Sequence, residues 1–104
     1  MPHEKSTPTP SHSELLFADD SVRITRHSLL PGATTGVHTH ECDYVVMPVH
    51  GGVVRVERGV ESSEFMMSAG APYSRESGVT HSLVNVSKSE IVFVELEYLS
   101  PRPR

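Results

Sequence analysis

The sequence predicts an all-β domain, built as a sandwich or closed barrel of short antiparallel strands. Two observations predict it. No window shows the 3.6-residue apolar repeat of a packed helix. Short β-rich stretches recur instead, each bounded by Gly, Pro, Asp or Ser turn residues. A chain of 104 residues suits one domain with one core.

Residues 1–13 hold three of the eight prolines, with several Ser and Thr, and read as a flexible arm. Residues 14–100 form the folded domain, and 101–104 a loose tail. Leu15–Phe17 is an edge strand, turned by Asp19-Asp20-Ser21. Val22–Leu30 is a strand stopped by Pro31-Gly32, and Thr35–His40 follows. Glu41–Asp43 turns the chain into Tyr44–Val49, which Gly51-Gly52 closes. Pro48 lacks a backbone donor, so a bulge or an unpaired edge is expected there. Val53–Arg58 alternates apolar and charged residues up to Gly59. Glu64–Met67 reaches Ala69-Gly70, Pro72–Arg75 reaches Ser77-Gly78, and Thr80–Val86 comes next. The last strand, Glu90–Tyr98, puts Val92, Val94, Leu96 and Tyr98 on one face and Glu95 and Glu97 on the other.

Composition excludes several function classes. A net charge of -4 with no Lys/Arg stripe argues against nucleic acid as a partner. One cysteine, Cys42, leaves no internal disulfide and no cysteine-rich zinc site. No apolar run approaches the ~20 residues of a membrane helix, and no signal-peptide core stands at the start. The cytoplasm is the expected compartment. Phosphate-binding glycine loops, nucleophile elbows, CxxC and HExxH are absent.

The informative segment is Gly32-Ala-Thr-Thr-Gly-Val-His38-Thr-His40. On a strand, residues i and i+2 share a face ~6.5–7 Å apart. Two imidazoles so placed can converge on one metal at ~2.0–2.1 Å each. His81, from another strand, is the third candidate, and three ligands leave coordination positions open. A His-x-His pair alone is weak evidence, since a chain with seven histidines shows one by chance about half the time.

The wider spacing is more specific. Gly32 precedes His38 by five intervening residues, and Gly51 follows position 44 by six. Gly70, Gly78, His81 and Asn85 stand in a second spaced series. The chain thereby resembles the cupin family, whose motifs read G-x5-H-x-H-x3,4-E-x6-G and G-x5-P-x-G-x2-H-x3-N. The resemblance implies a small single-domain cupin, an antiparallel double-stranded β-helix or jelly-roll barrel with its site at one mouth. It implies His38, His40 and His81 as metal ligands. Tyr44 occupies the family's glutamate position, and Glu76 replaces the second-motif proline.

Three neutral ligands leave a divalent ion uncompensated, so an anionic chelator is the expected substrate. Fe2+ is the favoured ion, with Zn2+, Ni2+, Mn2+ and Co2+ as alternatives. Tyr44 is a candidate catalytic residue, a phenol that can hydrogen-bond bound water or substrate, or else a core tyrosine. Arg75, alternating with Tyr73, is a candidate anchor for a substrate carboxylate, and Arg26 a weaker one. Asp43 is offset by one residue and expected to face away, as is Glu41. Cys42 keeps the phase of His40 only if the strand runs on. His3, His12, His27 and His50 are not expected to ligate, and Met66 and Met67 read as core filler. Asn85 reads as a residue that satisfies backbone groups.

Three functions compete. The first is a metal-dependent enzyme acting on a small organic acid, β-dicarbonyl or amino-acid-derived substrate. It would be dioxygenase-like with iron, or a Lewis-acid isomerase, decarboxylase or lyase with another ion. The second is a non-catalytic module that binds a metal or an organic acid. The third is a metal-free histidine cluster doing acid/base work. The run from Asp43 to Pro48, with Tyr73-x-Arg75, is also similar to small bacterial cupins labelled β-alanine degradation proteins. Family analogy and the exposed first strand imply a homodimer.

Overall fold

The computed structural model describes residues 9–100. It contains nine strands: β1 (His12–Ala18), β2 (Val22–Leu29), β3 (His38–Thr39), β4 (Tyr44–His50), β5 (Gly52–Arg58), β6 (Glu61–Met67), β7 (Tyr73–Arg75), β8 (Thr80–Asn85) and β9 (Ile91–Tyr98). No helix occurs among the described residues. One sheet runs β1-β2-β9-β4-β7 and the other β3-β8-β5-β6. All strand pairings are antiparallel. The chain crosses repeatedly between sheets, and the inner faces enclose a core of Leu29, Ala33, Tyr44, Val46, Val54, Met67, Leu83, Ile91 and Phe93.

The first strand begins earlier than expected. His12 opens β1, Pro10 bridges Thr34, and the Ser11 amide donates to the Thr34 carbonyl. Residues 9–13 are therefore part of the sheet edge. His3 and the tail at 101–104 lie outside the described residues.

The Thr35–His40 strand is cut to two residues. Gly36 takes a positive φ of 73°, a left-handed conformation that breaks a regular ladder. The segment is held instead by single ties, such as Thr35 N–H to the Leu83 carbonyl. Pro48 sits at the expected irregularity, since the β4–β9 register shifts between Pro48 and His50.

β9 separates its two faces as its alternation requires, and the glutamate face is the inward one. Ile91 and Phe93 share that face and are buried with Glu95. Burial at the start of this face follows from its apolar members, Ile91 and Phe93, with the carboxylates of Glu95 and Glu97 beyond them. Of Met66 and Met67, Met67 is core and Met66 is exposed, because neighbours on a strand point to opposite faces.

Two motif residues have structural duties. Asn85 is 1% exposed. Its amide donates to the carbonyls of Leu29 and Ser89 and accepts from the Ser87 N–H, all at 2.8–2.9 Å. This is the backbone-satisfying role read from the sequence. Gly51 lies where a β-carbon would stand 2.3 Å from the Met67 carbonyl oxygen, so only glycine fits.

Candidate metal centre

His38 and His81 are direct partners in the β3–β8 pairing. Opposed residues on an antiparallel pair project to one face with β-carbons ~4.5–5.5 Å apart. His40 lies just beyond β3, where its N–H donates to the Val79 carbonyl and its carbonyl accepts from Gly78. Gly78 has φ +96°, a turn conformation open to glycine, and this turn brings the chain back beside His40.

The three imidazoles converge. The His38 Nε2 lies 2.9 Å from the His40 Nε2, which lies 3.2 Å from the His81 Nε2. Nitrogens at ~2.0–2.1 Å from one ion stand ~2.9 Å apart at right angles and ~3.4 Å apart at tetrahedral angles. The observed separations fall in that interval, so the donor set fits a divalent ion. The Nδ1–H of His38 donates to the Gly36 carbonyl at 2.9 Å. That bond assigns the lone pair to Nε2 and turns it to the centre. Two nitrogens this close cannot both present lone pairs unless a proton or cation lies between them.

Burial favours the neutral form of His81 and His40. Burial, with the other two histidines adding to it, pushes His81 down to about 4. Burial also lowers His40, against the pull of Glu95. A neutral imidazole is the form that binds metal.

Tyr44 is buried, and its ring stacks on His40 at 4.0 Å between centroids. Burial and Glu95 raise its phenol to about 12, so it stays a neutral donor at working pH. Asp43 is turned to another task, as its Oδ1 accepts the Ser77 N–H at 2.8 Å. Among the described residues, neither Asp43 nor Cys42 joins the three-histidine group. Glu41 and His50 are exposed.

The centre opens into a cavity of about 340 Å³. Its walls include Tyr44, Phe65, Tyr73 and Arg75. The Arg75 guanidinium lies over the Tyr73 ring at 4.5 Å and the Phe65 ring at 5.6 Å. Arg75 therefore reaches the same cavity as the histidines, whereas Arg26 is exposed on the outer face.

Two cavity residues escaped the sequence reading. Glu95, 8% exposed, faces inward with His27, whose Nε2 lies 3.6 Å from its Oε1. Burial raises the Glu95 carboxyl, but His27 and the centre's histidines outweigh it and hold the group low. The available signal was Ile91 and Phe93, which mark the glutamate face of β9 as a core face.

No protein-family model matches the chain. It is 41% identical over 76 residues to the Beta-alanine degradation protein BauB of Pseudomonas aeruginosa, a match covering 73% of this chain and 80% of that one. A cupin domain from Bordetella pertussis superposes with a TM-score of 0.88 at 32% identity, over 91% of this chain and 99% of that one. The chain belongs to the cupin superfamily. A double-stranded β-helix protein from Klebsiella pneumoniae, at 12% identity and a TM-score of 0.72, covers 90% of this cupin and 81% of its own length and shares the fold. In this cupin the position of the motif glutamate carries Tyr44, and its ring packs against His40 of the three-histidine group.

Proposed function

We propose that this cupin is a metal-dependent enzyme acting on a small anionic chelating acid, a β-dicarbonyl or an amino-acid-derived substrate. The observation that carries this reading is the meeting of three Nε2 atoms at the end of a cavity of about 340 Å³. A resident divalent ion would supply Lewis acidity, or dioxygen chemistry if it is Fe2+, the ion we favour. His38, His40 and His81 would hold it. Three neutral donors leave its charge to be balanced by the substrate's oxygens.

The remaining roles belong to the chain's own side chains. Arg75 would pair with a substrate carboxylate, a role supported by its position on the cavity wall and by the aromatic faces that limit its freedom. The Tyr44 hydroxyl stays protonated, and as a donor beside His40 it would hydrogen-bond bound water or substrate. Phe65, Tyr73 and Val54 exclude water from the cavity wall. The name of the Pseudomonas relative supports small amino acids, or acids derived from them, as substrates. A cytoplasmic homodimer is the proposed working form.

The test is direct. The purified protein is reconstituted with Fe2+, Mn2+, Co2+, Ni2+ or Zn2+ and its metal content measured. Oxygen uptake and product formation are then followed with small thiols, β-diketones and β-amino or oxo acids. One equivalent of ion and turnover of one class are expected. Tight binding without turnover under every ion would assign a binding module, and activity unchanged by chelation would assign a metal-free site.

A further inference from the structure

Glu95 and Glu97 lie together against His40, their ligand atoms all within 4.8 Å of one another. Their charges are treated differently. Glu97 receives a two-pronged ion pair from Arg23, at 2.8 and 3.0 Å. Glu95 receives none. The ring of His27 approaches it, with Nε2 3.6 Å from Oε1, beyond hydrogen-bond length. The Nε2 of His27 is itself buried and has no hydrogen-bond partner. Apart from this long contact with His27, no N–H or O–H donates to the Glu95 carboxylate among the described residues. The Glu95 side chain is 11% exposed, and a carboxylate so largely buried with no donor at full hydrogen-bond length gains from a ligand that supplies one.

The same cavity holds a cation in the matching predicament. The Arg75 guanidinium donates to the Ser74 carbonyl and stacks on aromatic rings. Among the described residues it has no carboxylate partner. One cavity thus presents a carboxylate with no close donor and a guanidinium with no carboxylate partner among the described residues.

We propose that Glu95 is the ammonium subsite of this cavity, so that the ligand is a short amino carboxylate bound as a zwitterion. This rests on the metal reading above, which places the ligand's carboxylate end with the histidine-held ion and Arg75. The protonated amine then donates to Glu95 and offsets the burial of its charge. An acid of equal length with a neutral polar end supplies one donor and no charge, so it is discriminated against.

The experiment compares 3-aminopropanoate with its near-isostere 3-hydroxypropanoate by calorimetry on Zn2+-loaded protein, with metal content measured in parallel. The wild type is expected to bind the amine at least tenfold more tightly. Glu95→Gln is expected to keep its zinc and lose that preference. Equal binding of the two acids, or binding of neither, by zinc-loaded wild type overturns the proposal and leaves the metal reading standing. A Glu95→Gln protein that keeps the preference overturns it too. Loss of zinc from that variant would make Glu95 a metal ligand and also overturn it. Wild type that takes up no divalent ion ends both readings. If Glu95→Gln does not fold, the wild-type comparison of the two acids decides alone.

Discussion

His38 and His81 face one another directly across the β3–β8 pairing. This register makes two residues from distant segments of the chain into neighbours on one inner face, and His40 completes the set. Replacing His81 by Ala removes a ligand at the centre of the group. We expect divalent-ion affinity to fall at least about 100-fold, since even outer-shell changes cost ~10–100-fold. Titration with Zn2+ and elemental analysis check this, and an unchanged circular dichroism spectrum shows that the barrel persists.

The metal-free protein is expected to lose stability on acidification. His81 is held near 4 when folded and returns to an ordinary value of about 6.5 when unfolded. Between those values the unfolded chain binds a proton that the folded chain refuses, so stability falls as pH drops from about 6.5 to about 4. Above about 6.5 both states are neutral and this contribution vanishes. Thermal melts of the chelated protein across this range should show a falling midpoint, and His81→Gln should flatten the fall.

Asn85 serves three backbone partners from a fully buried position. Asn85→Ala leaves two carbonyls and one N–H without their partner. Each buried group so orphaned costs about 1–3 kcal/mol. A destabilisation of at least about 2 kcal/mol is expected in urea unfolding, with metal affinity of the folded fraction unaltered.

β1 is an edge strand whose residues are all exposed. Leu15, Leu16 and Phe17 are 48–61% exposed on it. An open apolar edge invites a second chain, which is the basis for the proposed homodimer. Sedimentation should give a dimer, and Leu16→Glu with Phe17→Glu should give a monomer that keeps its fold. A monomeric wild type would end this expectation.

Strand positions were legible because turn residues punctuate the chain, as at Pro31-Gly32, Gly59 and Ser77-Gly78. The double-stranded β-helix was legible because its spacing of glycines and histidines reflects backbone needs. Gly78 turns with positive φ, and Gly51 gives way to a carbonyl. Glu95 was not legible. A carboxylate on an alternating strand looks solvated until the opposing sheet is known, and the hint from Ile91 and Phe93 on its face is matched by Val92, Val94 and Leu96 on the other, so packing decides.

Local chemistry, written along the chain, is enough to name the strands, the class of fold and the histidines able to hold an ion, because turns and side-chain alternation act over a few residues. Distances between those histidines, the pairing of Arg23 with Glu97 in place of Glu95, and the position of Arg75 over Tyr73 depend on strand register between distant segments. Register is a property of how two sheets close on one another, and no short stretch of sequence carries it.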